Sequence, residues 1–406
     1  MGHLIDVSLL KRNRDYALLY SGQFLSFIGT MITSVVLPYQ IYDLTQSSLM
    51  VGLLSLAQLL PLLITALLGG VFADRYNRRR LVMISECLLM LGCVTLIFNA
   101  SFSYPSVFAI FVVATLMSAI VGIHRPAIDS MTQQLVNPVD YKVVGTLSGF
   151  KFGFCMIVGP AIAGFLIAHF GIMTTYMVDL LTFIISLISL SLMNHVQPQN
   201  RMNHPSVMHS LKQGLYFAMS QQELMGSYFV DFIAMVFAIP NALFPALAQS
   251  FGGVKALGFL YSAPAVGSLL ISFFSGWTAN IKQDGKAISI AAGLWGLTII
   301  GFGLSSTLWM AVFFLILSGA FDAVSGIFRS SLWNNTIPHD FRGRLAGIEM
   351  ISYLGGPKLG DARAGVVASC LGITTAIVSG GIFCVVGVMI CCVYMPKFWK
   401  YSSDNK

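Results

Sequence analysis

Gly70-Val71-Phe72-Ala73-Asp74-Arg75-Tyr76-Asn77-Arg78-Arg79-Arg80 joins two long apolar runs, residues 49–73 and 81–99, through a loop with four arginines. Runs of that length suit a bilayer, whose hydrocarbon core takes about 20 residues of helix. Arginines clustered between two such runs mark the cytoplasmic side, because short cytoplasmic loops carry the excess of Lys and Arg. In both directions from this loop the chain divides into twelve apolar windows, at 17–42, 49–73, 81–99, 105–124, 145–168, 172–193, 221–248, 255–279, 287–304, 307–329, 345–369 and 372–395. With the N-terminus inside, 19 of the 23 Lys and Arg fall on the cytoplasmic face, Arg125 and Arg329 among them. Only Lys255 falls outside, and Lys151, Lys358 and Arg363 lie within windows.

Composition points the same way. The 406 residues are 56% hydrophobic and 10% charged, with mean hydropathy +0.80, whereas soluble domains average about 25% charged residues. The formal charge of +7 follows from membrane orientation and attraction to anionic headgroups. No basic stripe or aromatic platform supports nucleic-acid binding. The first apolar run follows Lys11-Arg12-Asn13-Arg14 without a small-residue cleavage site, so it is expected to remain as a helix. The seven cysteines lie in windows without metal-ligand spacing, and read as small core hydrophobes. No metal or cofactor is expected. No nucleophile and base arrangement appears, nor a P-loop or Rossmann fingerprint, which excludes an enzyme and leaves an ion gradient as the energy source.

The chain also repeats itself. Pro138-Val139-Asp140-Tyr141-Lys142 and Pro338-His339-Asp340-Phe341-Arg342 share one pattern at a 200-residue offset, and each precedes a Gly-rich run with Gly-Pro, at Gly159-Pro160 and Gly356-Pro357. The polar stretch 194–220 divides the windows six and six. Two parallel repeats follow, 1–193 and 221–406, related by an axis along the membrane normal.

The Gly70 to Arg80 loop resembles motif A of the major facilitator superfamily. Gly159-Pro160-Ala161-Ile162-Ala163-Gly164 resembles the antiporter motif C. With Arg342-Gly343-Arg344 and the run Gly355 to Gly365, the whole chain is similar to the enterobactin-exporter-like branch of drug and siderophore efflux proteins. The resemblance implies an all-α membrane protein of twelve transmembrane helices in two pseudo-symmetric six-helix bundles. It further implies a central cavity and alternating access, with motif C marking exporters.

Residue chemistry supplies candidate roles. Within motif A, formed by Gly70, Asp74, Arg75 and Arg78, Asp74 is placed to cap the helix beginning near Arg342 and Arg344, a latch worth up to about 2 kcal/mol. Arg78, Arg79 and Arg80 read mainly as topogenic charges. Pro160 removes a backbone donor and bends its helix, while Gly159 and Gly164 permit close packing. Ionisable groups inside a bilayer face a bundle interior or a wet cavity. Asp231, Asp322 and Asp361 are therefore candidate proton carriers. Lys358 and Asp361, three apart, share a helical face, and Arg363 needs another carboxylate, with Asp231 or Asp322 as candidates. Static pairing is the competing reading of all these charges. Glu86 and Asp179 are expected in structural or interfacial roles on peripheral helices. Lys151, Phe24, Gln40, Tyr228 and Phe232 are candidate cavity residues. These readings converge on proton-driven export of a small amphipathic molecule, siderophore or drug-like, by a monomer in the bacterial inner membrane with both termini cytoplasmic. An importer by symport and a membrane scaffold or sensor are the alternatives.

Overall fold

The computed structural model describes residues 7–194 and 207–403. Among them lie fifteen α-helices and no strand: α1 Ser8–Arg12, α2 Arg14–Thr45, α3 Ser48–Arg75, α4 Arg78–Ser101, α5 Val107–Leu135, α6 Tyr141–Ser191, α7 Val207–Ser220, α8 Gln222–Phe237, α9 Phe244–Ser250, α10 Val254–Phe273, α11 Asp284–Gly303, α12 Leu308–Thr336, α13 His339–Leu371, α14 Ile373–Tyr394 and α15 Pro396–Trp399. Several helices begin where a polar side chain accepts a free backbone donor. Asn77, Ser106 and Thr307 accept from Arg80, Ala109 and Met310, which is ordinary N-capping. Asn13 accepts the N–H of Tyr16 at 3.0 Å and donates to the Leu135 carbonyl at 2.6 Å, so one side chain serves the start of α2 and the end of α5.

Ten helical segments are long and apolar enough to cross a membrane, against the twelve windows of the sequence. The difference has two sources. The fifth and sixth windows fall in α6, a run of 51 residues interrupted at Gly171, whose φ of 81° and ψ of 175° are not helical. That φ suits glycine because no Cβ opposes it. The eleventh window lies in α13, whose 33 residues include Lys358, Asp361 and Arg363 and are too polar to qualify. The stretch read as a polar linker contains helix α7. Helices also outrun the apolar windows. α5 continues to Leu135 and α12 to Thr336, so Arg125 lies more than two turns, and Arg329 about two turns, inside its helix rather than at its end.

The chain forms two compact units, one of Met1–Leu44 with Leu60–Asn203, the other of Thr45–Leu59 with His204–Lys406. In the first, α4 packs on α5 and α6, and one core cluster gathers Leu19, Val82, Ala127, Met131, Leu190 and Met193. In the second, α12 packs on α10 and α11, and α14 packs on α11, α8 and α13. Many large apolar side chains remain on the outer faces of the long helices, including Leu60, Ile64, Phe98, Phe108, Leu116 and Phe313. Apolar surface so extensive needs a lipid environment. The chain is a multi-pass membrane protein.

Between membrane helices, lipid offers no hydrophobic drive to pair, so close backbone approach at small residues carries the association. α10 and α12 cross in this way. A Cβ on Gly319 would run into the backbone of Pro264, and one on Gly267 into that of Ile316. Ser268 adds a hydrogen bond to the Gly319 carbonyl at 2.9 Å. Gly319→Leu should therefore lower stability by about 1–3 kcal/mol through overpacking. Gly293→Ala, at a helical position with open space around it, should cost nothing. Thermal unfolding of the two purified variants checks this, and equal midpoints would remove the crossing from the account.

Candidate proton-coupling site

α8 and α12 are joined by a buried charge cluster. Arg329 of α12 forms an ion pair through Nη1 with Asp231 of α8, and its Nη2 lies 3.7 Å from Asp322 of its own helix. Asp231 and Arg329 are only 6% and 8% exposed. Asp322 and Arg329 stand two turns apart on one face of α12, as a seven-residue spacing requires. Ser352 of α13 donates to Asp231 Oδ2 at 3.4 Å. One turn away along both helices, Trp333 donates to Ser227 at 3.0 Å, and its ring lies 5.3 Å from that of Tyr228. Asp231 and Arg329 are thus buried, while the Asp322 side chain is 35% exposed at the edge of the cluster. One guanidinium against two carboxylates leaves the cluster one negative charge in excess.

The sequence reading assigned Asp231 or Asp322 to Arg363, and the structure gives both to Arg329. Arg363 instead donates to the carbonyls of Phe237 at 3.0 Å and Ala376 at 3.1 Å and stacks over the Phe237 ring at 5.8 Å. The reason is local. α8 stops at Phe237, ahead of Pro240, and a helix end leaves carbonyls without intrahelical donors, so a guanidinium is drawn there.

Lys358 and Asp361, expected to pair, turn to neutral partners. Lys358 Nζ donates to Gln58 at 2.5 Å. Asp361 accepts the Ala242 N–H at 2.8 Å and the Ser55 hydroxyl at 3.1 Å. Both contacts with α3 are set by Gly52 and Gly365, where a Cβ on either would meet the other helix's backbone.

The remaining candidates divide. Gly70 faces open space and Arg75 is exposed. Asp74, Arg342 and Arg344 have side chains outside the described residues, and the expected latch with them. Arg78 donates to the carbonyls of Ala73 at 3.1 Å and Ser130 at 3.3 Å. Arg79 donates to those of Leu190 and Ser191 at 2.9 and 2.8 Å. Arg79 thereby closes the C-terminus of α6, and Arg78 joins the end of α3 to α5. Gly159 packs so tightly that a Cβ there would strike Met31 of α2, and Pro160 and Gly164 are buried beside it in α6. Gln40 is buried and accepts from Tyr176 at 2.8 Å, which commits it to packing within the first unit. Tyr228 is likewise buried, whereas Phe232 is exposed. Lys151 is half-buried, 5.9 Å from the Tyr20 ring. Phe24, one turn beyond Tyr20, lies 5.4 Å from Phe154 and 6.4 Å from Phe150.

Sequence reading missed Arg329, taken for a cytoplasmic charge because the apolar window ends there. It also missed the depth of Glu86 and Asp179, both 0% exposed. Asp179 accepts from Thr33, from Cys93 at 3.1 Å and from Thr182 at 3.3 Å, which ties α2, α4 and α6. Among the described residues no three His, Cys, Asp or Glu side chains are gathered as a metal site would need.

Long apolar helices with charges held between them fit a transporter-like architecture, and the comparisons with known proteins agree. Over residues 10–405 the chain matches the family described as "Transmembrane secretion effector". It belongs to that family, a branch of the major facilitator transporters, and is not an enzyme. Among its relatives, the enterobactin exporter of Shigella flexneri is 27% identical over 391 residues, covering 95% of this chain and 93% of the relative. That of Escherichia coli O1:K1 is 26% identical over 390 residues with the same coverage. Among solved structures, a nucleoside transporter superposes with a TM-score of 0.73 at 17% identity, covering 95% of this chain and 99% of the other. A bacterial homologue of the iron transporter ferroportin, inward-facing, gives 0.70 at 16% identity, covering 96% and 99%. These structures share the fold.

Removing one partner of a buried ion pair costs about 3–5 kcal/mol, because the other charge is stranded. Arg329→Met should therefore lower the thermal midpoint strongly. Adding Asp231→Asn and Asp322→Asn to it should recover part of the loss. A triple variant no more stable than Arg329→Met would contradict the shared pairing.

Proposed function

We propose that this protein exports a small amphipathic molecule from the cytoplasm in exchange for protons, by alternating access, as a monomer in the bacterial inner membrane with both termini inside. Its domains are the bundles 1–193 and 221–406, joined by 194–220, and its crossings number twelve. The single observation that carries the reading is Arg329 shared between Asp231 and Asp322.

Three formal charges in that cluster leave one carboxylate undercompensated at any moment. A proton arriving on Asp231 neutralises it and leaves Arg329 to Asp322, so the charged tie between α8 and α12 is replaced by one within α12. A proton on Asp322 does the reverse and reinforces the tie. Proton binding thus biases a two-state contact between two helices, which is how a local charge event gains a global readout. Because an ion left bare in hydrocarbon costs several kcal/mol, the cluster favours states in which protons and partners balance. Asp361 is a further proton carrier in this scheme. Lys358 and Arg363 hold α13 to α3, α8 and α14 by neutral contacts.

The substrate class follows from the first unit and from the relatives. Lys151 among Tyr20, Phe24, Phe150 and Phe154 offers one cation on an aromatic face, which suits an anionic aromatic compound through charge and ring contacts. That some relatives are named enterobactin exporters supports a siderophore, ahead of drug-like molecules.

Comparison of compounds retained by cells with and without the gene names the cargo, which a deletion strain should accumulate. In everted vesicles with an acid interior, that compound should then be taken up by the wild type and not by Asp231→Asn or Asp322→Asn. Accumulation instead in right-side-out vesicles under an inward proton gradient would make the protein an importer, and full activity in both variants would end the coupling role.

A further inference from the structure

A second group of titratable side chains lies in the first unit, apart from the cluster on α8 and α12. Glu86 of α4 and His124 of α5 are 0% and 8% exposed. Glu86 Oε1 accepts the side-chain amide of Gln23 on α2 at 2.5 Å and the hydroxyl of Ser186 on α6 at 2.8 Å. His124 Nε2 stands 3.5 Å from that same oxygen. Among the described residues neither Glu86 Oε2 nor His124 Nε2 has a hydrogen-bond partner. Four helices of one unit therefore meet at a carboxylate and an imidazole that face each other with spare capacity.

Asp179 shows what a static buried carboxylate looks like in this same unit. Hydroxyls of Thr33 and Thr182 and the Cys93 thiol supply both of its oxygens. Glu86 receives its two neutral donors on one oxygen, and the other is bare. An unsatisfied buried polar atom calls for a reason, and a bare carboxylate in a membrane helix is expensive. The nearest group able to supply positive charge or a proton is the imidazole. With one proton in the pair the net charge is zero, whether as imidazolium and carboxylate or as imidazole and carboxylic acid. With none, an anion remains with an empty oxygen.

We propose that Glu86 and His124 form a proton-binding site within the first unit, a single proton shared between α4 and α5. Its loss turns an attraction between those helices into an uncompensated anion, so occupancy of the site controls how firmly α4 and α5 hold together. A proton held between two facing groups belongs to the pair and not to either residue alone.

The surroundings define what else titrates nearby. α2 presents the neutral Gln23, and α6 presents Ser186. Farther along α4 and α6, Cys93 and Asp179 bind each other. On α5, Arg125 adjoins His124, and Asp129 interacts electrostatically with Lys151 of α6, Arg125 and His124. Asp129→Asn is therefore the control that separates this neighbour from the pair.

The test is an equilibrium proton titration of the purified full chain in lipid nanodiscs across about pH 5–8, with a pH-indicator dye and no substrate. Wild type and Asp129→Asn should share the step belonging to the pair. Glu86→Gln and His124→Gln should each take up about one proton fewer per chain, and the double variant should lose no more than either single one, as a coupled pair requires. Glu86→Asp should restore the step. Wild-type titration in Glu86→Gln and His124→Gln, or losses that add in the double variant, would overturn the proposal. Should Glu86→Gln fail to fold, nitrogen-labelled histidine in the wild type decides the matter by magnetic resonance. The His124 ring signals, assigned with His124→Gln, should move through this range, and fixed signals would overturn the site. A matching step in the pH profile of transport rests on the proton-coupled reading above, whereas the titration does not, so the two fail separately.

Discussion

A charge inside a membrane helix must find its counterpart within the protein, and this requirement organises the structure. Hydrocarbon supplies no partner, so several buried ionisable groups are matched by groups of the protein itself. Arg329 draws in Asp231 from α8 and Asp322 from α12. Arg363 finds carbonyls at a helix end. Lys358 and Asp361 find an amide, a hydroxyl and a backbone N–H. The helices are tied by these contacts at the depths where lipid offers nothing. At Arg329, where two carboxylates share one guanidinium, the pairing has two alternative partners.

Close packing brings the charges together. Glycines at the α3–α13 and α10–α12 crossings remove the side chains that would hold the backbones apart. The end of α8 at Phe237 and the turn before α9 expose the backbone groups that Arg363 and Asp361 occupy. Arg78 and Arg79 donate to carbonyls near the ends of α3 and α6, and Arg78 also reaches the Ser130 carbonyl of α5. One arginine-rich loop therefore ties three helices of the first unit together.

Most of the helical architecture was legible in the sequence, because apolar length reports bilayer thickness directly. The departures have physical causes. Apolar windows end at the first charge, but a helix continues through a charge that has an internal partner, so Arg125 and Arg329 were read as lying at helix ends. Gly171 breaks α6 by its backbone angles alone, a property that hydropathy does not register. The partners of Arg363, Lys358 and Asp361 are carbonyls, an amide and a hydroxyl, which carry no pattern along the chain. Glu86 and Asp179 were recognised as intramembrane carboxylates, yet apart from Thr182 their partners come from residues 63 to 146 positions away, beyond any local spacing rule.

The central claim is that a proton on Asp231 frees α8 from α12, and the separation of these two helices tests it most directly. Spin labels on exposed positions of α8 and α12, in the full chain in lipid, report that separation by pulsed electron resonance. The account predicts a wild-type distance distribution that shifts as the sample is acidified, and a shifted distribution at every pH in Asp231→Asn. One unchanging distribution, shared by wild type and variant in acid and base alike, would contradict it.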